Sequence, residues 1–243
     1  EEKRRKDMKL NKTMELSGRS LTLETGRMAK QASGSILLTY GETMLLATAT
    51  ANKDDGEDRG FFPLSVEYRE KFYASGRIPG GFFKREARPS EKEIIASRLT
   101  DRPLRPLFPK GFNAETQVFI NVLSFDEENH GDVLGTIAAS AALAISDIPW
   151  SGPVATVRVG RIDGQFIINP EISKSSESDM EIIVSGTSDS IVMVEGEADL
   201  ISEDDFLEAI QFAFKSIKDI IKLQQDLVDL CGKQKREVSE PEL

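Results

Sequence analysis

The hydrophobic pattern changes period along the chain, and each change predicts an element. Residues 35–40 (SILLTY) and 43–50 (TMLLATAT) are β-rich runs separated by Gly41, and they predict a hairpin. The polar stretch 52–59 (NKDDGEDR) reads as a loop, and 64–68 as a short strand. Ser90 followed by Glu93 forms a capping box for a helix whose apolar stripe is Ile94, Ile95 and Leu99, with Pro103 expected to end it. Residues 116–125 alternate as a strand. Residues 133–145 (VLGTIAASAALAI) are apolar nearly all round and rich in small side chains, so they predict a buried helix packed closely on a sheet.

The PWSGP run at 149–153 then breaks the chain. Strands are expected at 154–161 and 165–169 around an Asp163-Gly164 turn, and at 180–185 and 191–197. A long amphipathic helix should run over 203–230, opened by Ser202 with Asp205 three residues on and stopped by Gly232. Its expected inner face is Phe206, Ile210, Ile217, Ile220, Ile221 and Leu227. The order of strands, buried helix, strands and helix implies an α+β domain of two halves, about 13–148 and 149–232. Residues 1–12 read as a flexible, solvated extension and 233–243 as a charged tail.

Composition narrows the function classes. One cysteine, Cys231, excludes an internal disulfide and fits a reducing, cytoplasmic setting. One histidine, His130, excludes a multi-histidine metal site; its polar loop (DEENHGD) suggests a solvated side chain. No apolar run approaches the ~20 residues of a membrane span, so no membrane partner is expected. The net charge of −10 is unevenly spread. Residues 77–110 hold nine basic and four acidic side chains, a local +5, whereas 112–214 hold three basic and nineteen acidic, a local −16. Phosphate responds to potential within about a Debye length, ~8 Å at physiological salt, so the basic stripe suits a polyanion.

Within that stripe, residues 76–88 (GRIPGGFFKREAR) form a glycine-rich loop with adjacent aromatics, Phe82 and Phe83, followed by Lys84, Arg85 and Arg88. Aromatic faces beside cations suit single-stranded nucleic acid, where bases stack and phosphates pair with charge. The plain alternative is core phenylalanines beside solvated cations. Arg98 and Arg102 lie four apart on one helix face, and Arg105 follows before a second proline. These arginines suit phosphate, a subunit interface, or pairing with Glu91, Glu93 or Asp101. Asp179 and Glu181 fall on the same side of a strand start, where they would hold Mg²⁺ or simply face solvent. Neither a Walker motif nor GxGxxG is present.

The blocks GRIPGGFFKRE, ARPSEKEIIASRLTDRPLRPLFPKGF, ASAALAISDIPWSGP and VRVGRIDGQFIINP, in this order, resemble the first RNase PH-like domain of the polynucleotide phosphorylase family. The resemblance runs from about Met14 to Gly232. It implies an α+β fold of two βαβα-type halves with mixed sheets covered by helices. It also implies a homotrimeric, cytoplasmic enzyme that degrades mRNA from the 3′ end, with Mg²⁺ and inorganic phosphate as cofactors of the full-length protein. Single-stranded RNA and RNA-degrading assemblies are the implied partners, and the tail after Gly232 would lead toward a helical linker domain.

Residue by residue, the family's FFRR channel loop matches Phe82, Phe83, Lys84 and Arg85, with Lys84 replacing an arginine and losing its planar fork. Arg88 matches the arginine of the RNase PH GRT motif. The phosphate-binding run before the buried helix, Thr-Arg-Thr or serines in active copies, is here Asp132-Val133-Leu134, the wrong charge for phosphate. Of two metal-side aspartates, one matches Asp179 and the other matches Ser173. The resemblance therefore implies a catalytically silent copy that binds no cofactor itself and contacts RNA through Phe82, Phe83, Lys84, Arg85, Arg88, Arg98, Arg102 and Arg105. Two rival readings remain: an independently active RNase PH-type phosphorylase, and a ring scaffold with incidental RNA binding.

Overall fold

The computed structural model describes residues 9–54, 56, 59–81 and 88–238. Its first sheet has six strands: β1 (Leu10–Leu16), β2 (Arg19–Thr25), β3 (Gly34–Tyr40), β4 (Thr43–Ala51), β5 (Leu64–Glu70) and β6 (Thr116–Ser124), in the order β1-β2-β3-β4-β6-β5. The expected hairpin is present: Tyr40 pairs with Thr43, and Gly41 takes the positive φ of 58° that the two-residue turn requires. Strands β1 and β2 carry no clear sequence signal, and β1 reaches back into the expected extension. The reason is that β1 is an edge strand whose only fully buried side chain is Leu16. Its order comes from pairing with β2 and from packing against the last helix.

The second sheet comprises β7 (Ala155–Ile162), β8 (Gln165–Ile168), β9 (Met180–Gly186) and β10 (Ile191–Ala198), ordered β10-β9-β7-β8 and antiparallel throughout. Asp163 and Gly164 form the predicted turn, with φ of 50° and 75°. Helix α1 (Glu91–Leu104) makes the crossover between the parallel strands β5 and β6, α2 (Gly131–Ile145) follows β6, and α3 (Glu203–Cys231) follows the second sheet. The first half thus closes with a β-α-β-α run. In the second half all four strands precede its one helix, so the βαβα pattern expected of both halves holds only for the first.

Helix α2 is buried at every residue except Asp132 and packs on β3, β4, β6 and β7, joining the two sheets. Its small side chains let backbones meet: a Cβ on Gly34 would fall 2.0 Å from the Ala142 carbonyl oxygen. Helix α3 buries Ile217, Ile220, Ile221 and Leu227 as expected, while Phe206 and Ile210 are only half-buried.

Helix α1 departs from its expected stripe. Leu99 is buried, but Ile94 and Ile95 are 46% and 61% exposed. The face turned to β5 is polar because it completes a sheet edge. The Ser97 hydroxyl accepts from Tyr68 N–H at 2.9 Å, and the Glu93 carboxylate accepts from Glu70 N–H at 2.9 Å. The capping box is formed, with Ser90 and Glu93 exchanging backbone-to-side-chain bonds. Pro103 does not end the helix, which continues to Leu104. Lying in the last turn, it removes only one helical hydrogen bond.

The expected solvated tail is docked as far as Val238. Lys235 Nζ donates to the carbonyls of Leu143, Ala144 and Ser146 at 2.8–3.0 Å, capping the C-terminus of α2. Arg236 pairs with Asp147 at 2.9 Å.

Candidate nucleic-acid interface

The parallel strands β5 and β6 end side by side, and a cleft of about 730 Å³ opens beyond their C-terminal ends. Such ends are where parallel sheets expose groups to ligands. A tight turn over Phe72–Ser75 forms one wall, tied to the end of β6 by the bond from Phe125 N–H to the Ala74 carbonyl at 2.9 Å. The start of α1, from Arg88 through Glu93, forms the other wall. Phe72 and Phe125 contribute aromatic surface to the lining. Lys92 lies over the Phe125 ring, 5.4 Å from its centroid, and pairs with Glu70 at 3.0 Å. Arg77 pairs with Glu127 at 3.0 Å.

Of the side chains expected to touch RNA, Phe82, Phe83, Lys84 and Arg85 lie outside the described residues. Arg88 lies at the rim of the cleft, exposed and without an ion-pair partner among the described residues. Arg98 is likewise exposed and unpaired among them, on the outer face of α1. Arg102, one turn on, pairs with Glu195 of β10. Arg105 has an internal post: it grips Asp101 at 2.7 and 3.0 Å and donates to the carbonyls of Phe62 and Leu64 at 3.0 and 3.1 Å. Four of its five N–H groups are thereby engaged. Of the four described arginines expected to touch RNA, Arg88 and Arg98 are therefore open, and Arg102 and Arg105 hold the fold together. Sequence reasoning passed over Phe72 and Phe125; their one signal is that each follows the end of a strand of the same parallel pair.

A second polar cluster joins the halves where α2 begins. Arg158 on β7, 6% exposed, donates to Asp132 at 2.6 Å and also pairs with Glu181. Arg161 binds Asp179 at 2.7 Å and Asp205, at the start of α3, at 2.9 Å. Asp179 and Glu181 are thus neither a free solvent edge nor an open cation site, since an arginine faces each. The Arg161 bond holds the Asp179 carboxyl below the usual carboxylate range, and the Ser202 hydrogen bond followed by Arg161 does the same for Asp205. Among the described residues no cluster of three acidic, histidine or cysteine side chains is placed to hold a metal.

His130 also differs from expectation. Its side chain is half-buried, and its Nε2 is buried without a hydrogen-bond partner among the described residues. Burial first, and then the Arg158 charge, lower its pKa to about 4, so the ring is neutral near pH 7. No described helix is long and apolar enough to cross a membrane.

Comparison with known proteins places this geometry. Rice (Oryza sativa) Rrp46 shares the fold, with a TM-score of 0.68 over 88% of this chain and 96% of that one at 18% identity. The chain is 55% identical over 95% of its length to the polyribonucleotide nucleotidyltransferase of Thermomicrobium roseum, and 53% identical over 94% to that of Syntrophotalea carbinolica. It spans only 29% and 33% of those two proteins. Residues 17–149 match domain 1 of the 3′ exoribonuclease family, and residues 152–216 match its domain 2. With both parts present in order on an RNase PH-like α+β fold, the chain belongs to the 3′ exoribonuclease family.

Proposed function

We propose that this chain is the RNA-holding module of a polyribonucleotide nucleotidyltransferase. The full protein would degrade mRNA from the 3′ end with inorganic phosphate, as a cytoplasmic homotrimer. The observation that carries this reading is the open guanidinium group of Arg88, which lines an aromatic-walled cleft in an otherwise acidic chain, with a second open guanidinium group, Arg98, on the outer face of α1. Phe82, Phe83, Lys84 and Arg85, which end three residues before Arg88, complete the grip on single-stranded RNA. The exposed Ile94 and Ile95 supply apolar area for packing between subunits.

Chemistry is assigned to a second domain. In this chain the Asp132 carboxylate stands where an active copy receives phosphate, and it is already bound to Arg158. Mg²⁺ fits this donor set poorly, because an arginine faces each of Asp132, Asp179, Glu181 and Asp205. Phosphate and metal are therefore expected to act elsewhere in the full protein.

The test is RNA affinity against salt for the full-length enzyme and its Phe82→Ala/Phe83→Ala/Arg85→Ala variant. The variant should bind single-stranded RNA more weakly, with a log–log salt slope shallower by about 0.7 for each phosphate it no longer neutralises. Identical affinity and slope would refute the grip. Phosphate-dependent release of nucleoside diphosphates by the isolated chain would refute its catalytic silence.

A further inference from the structure

We propose that the surface where β10 runs into α3 docks a cationic, apolar segment of another protein, seated on Leu200 and Leu207 between flanking carboxylates. This surface is separate from the basic stripe and does not depend on the RNA-holding reading. Residues 175–214 contain eleven carboxylates and neither lysine nor arginine. Four of them are answered by arginines from elsewhere: Asp179 and Asp205 by Arg161, Glu181 by Arg158, and Glu195 by Arg102. Glu197, Asp199, Glu203, Asp204 and Glu208 are exposed with no ion-pair partner among the described residues. Glu203 and Asp204 complement the N-terminus of α3, but the other three lie outside its first turn.

Among these charges lies a shallow groove of about 470 Å³, lined by Ile201, Ser202, Glu203, Phe206 and Leu207. Ile201 and Phe206 hold the position before the Ser202 cap and the fourth position of the helix, a hydrophobic-staple arrangement, and both are half-buried. Their role is structural. Leu207 is more than half exposed and Leu200 fully so, and neither adds to the core. Leu200 also holds a left-handed φ of 50°, which glycine or asparagine adopts at less cost. A strained, fully solvated leucine stabilises nothing inside the fold, and contact with a partner would give it something to bury.

The carboxylates decide which occupant fits. They repel nucleic acid and anionic membranes. A second copy of this chain offers one comparable apolar pair, Ile94 and Ile95 of α1, but brings no net positive charge with it. There the open Glu91 and Arg98 cancel, while Lys92 is held by Glu70 and Arg102 by Glu195. A segment with leucine-sized side chains spaced among lysines or arginines matches both the groove and its charge.

The test is fluorescence anisotropy of a short labelled leucine–lysine peptide whose leucines share one helical face, titrated with the chain. The controls are a leucine–glutamate peptide of the same spacing and a leucine–lysine peptide with its leucines scattered round the helix. Only the first should bind saturably, and added salt should weaken it. Leu207→Ser should weaken binding about tenfold or more, the loss expected when one leucine is no longer buried. Leu200→Asn should weaken it similarly while the melting temperature holds or rises, because asparagine relieves the backbone. Glu208→Lys should weaken it at low salt and little at high salt. The proposal is overturned if the scattered or glutamate peptide binds equally, if Leu200→Asn and Leu207→Ser keep full affinity, or if nothing binds at submillimolar concentration. Competition by a single-stranded oligonucleotide would also overturn it, by placing the peptide on the basic stripe. Self-association of the chain that Leu207→Ser abolishes would overturn it in favour of a second copy as the occupant.

Discussion

His130 sits at the start of α2 between Arg158 of β7, Asp132 of its own helix, Lys92 of α1 and Arg19 of β2. Burial disfavours the charged ring, and three of these four neighbours are cations that add to that effect, so the folded protein resists protonating the ring until about pH 4. The unfolded chain takes up that proton near pH 6.5. Between those values the unfolded state binds more protons, so stability falls as pH falls through this window and is complete above it. Urea midpoints measured from pH 7 to pH 4 should therefore drop more steeply for the wild type than for His130→Gln. Parallel curves would mean that the ring is solvated, as its polar loop alone suggests.

At the scale of elements, the end of α2 depends on a segment that reads from sequence as a free tail. Four C-terminal carbonyls of any helix lack internal partners. Lys235 supplies donors to the carbonyls of Leu143 and Ala144, and a cation at a helix C-terminus also complements the macrodipole. Lys235→Ala is expected to lower stability by about 1 kcal/mol, read from denaturant unfolding. Its pKa is lowered to about 8, mainly by burial. The unfolded chain holds that proton up to about pH 10.4, so between these values the fold binds fewer protons and gains stability as pH rises. The gap between wild type and variant should accordingly widen above pH 8. Helix α1 shows the same dependence on neighbours. Its capping box was readable as Ser90 and Glu93, but its inner face was not, because Glu93 and Ser97 complete the edge of β5 and leave Ile94 and Ile95 outside.

Across the whole molecule, the two sheets are fastened at α2 by apolar packing and by buried Arg158, which pairs with both Asp132 and Glu181. Arg158→Ala would leave two carboxylates facing one another in a largely enclosed place, at a cost of roughly 3–5 kcal/mol. A second ion pair between the halves, Arg102 with Glu195, is about half exposed on each side, and Arg102→Ala should cost less than about 1 kcal/mol. Chemical denaturation of both variants checks the contrast; equal small losses would place Arg158 in effectively aqueous surroundings.

The sequence by itself determined those features whose signals are local. These are the 35–50 hairpin with its turn glycine, the Asp163-Gly164 turn, the caps at Ser90 and Ser202, and the burial of α2 from its run of small apolar residues. The family blocks add the expectation that the basic stripe contacts RNA. Tertiary structure alone decided which cations of that stripe are open. Arg88 and Arg98 remain open among the described residues, Arg105 is drawn to the carbonyls of Phe62 and Leu64, and Arg102 is paired with Glu195, 93 residues away. The same holds for Asp132, whose partner Arg158 lies 26 residues on. A charge is readable from its residue type, but its availability depends on neighbours that only folding brings within hydrogen-bond distance.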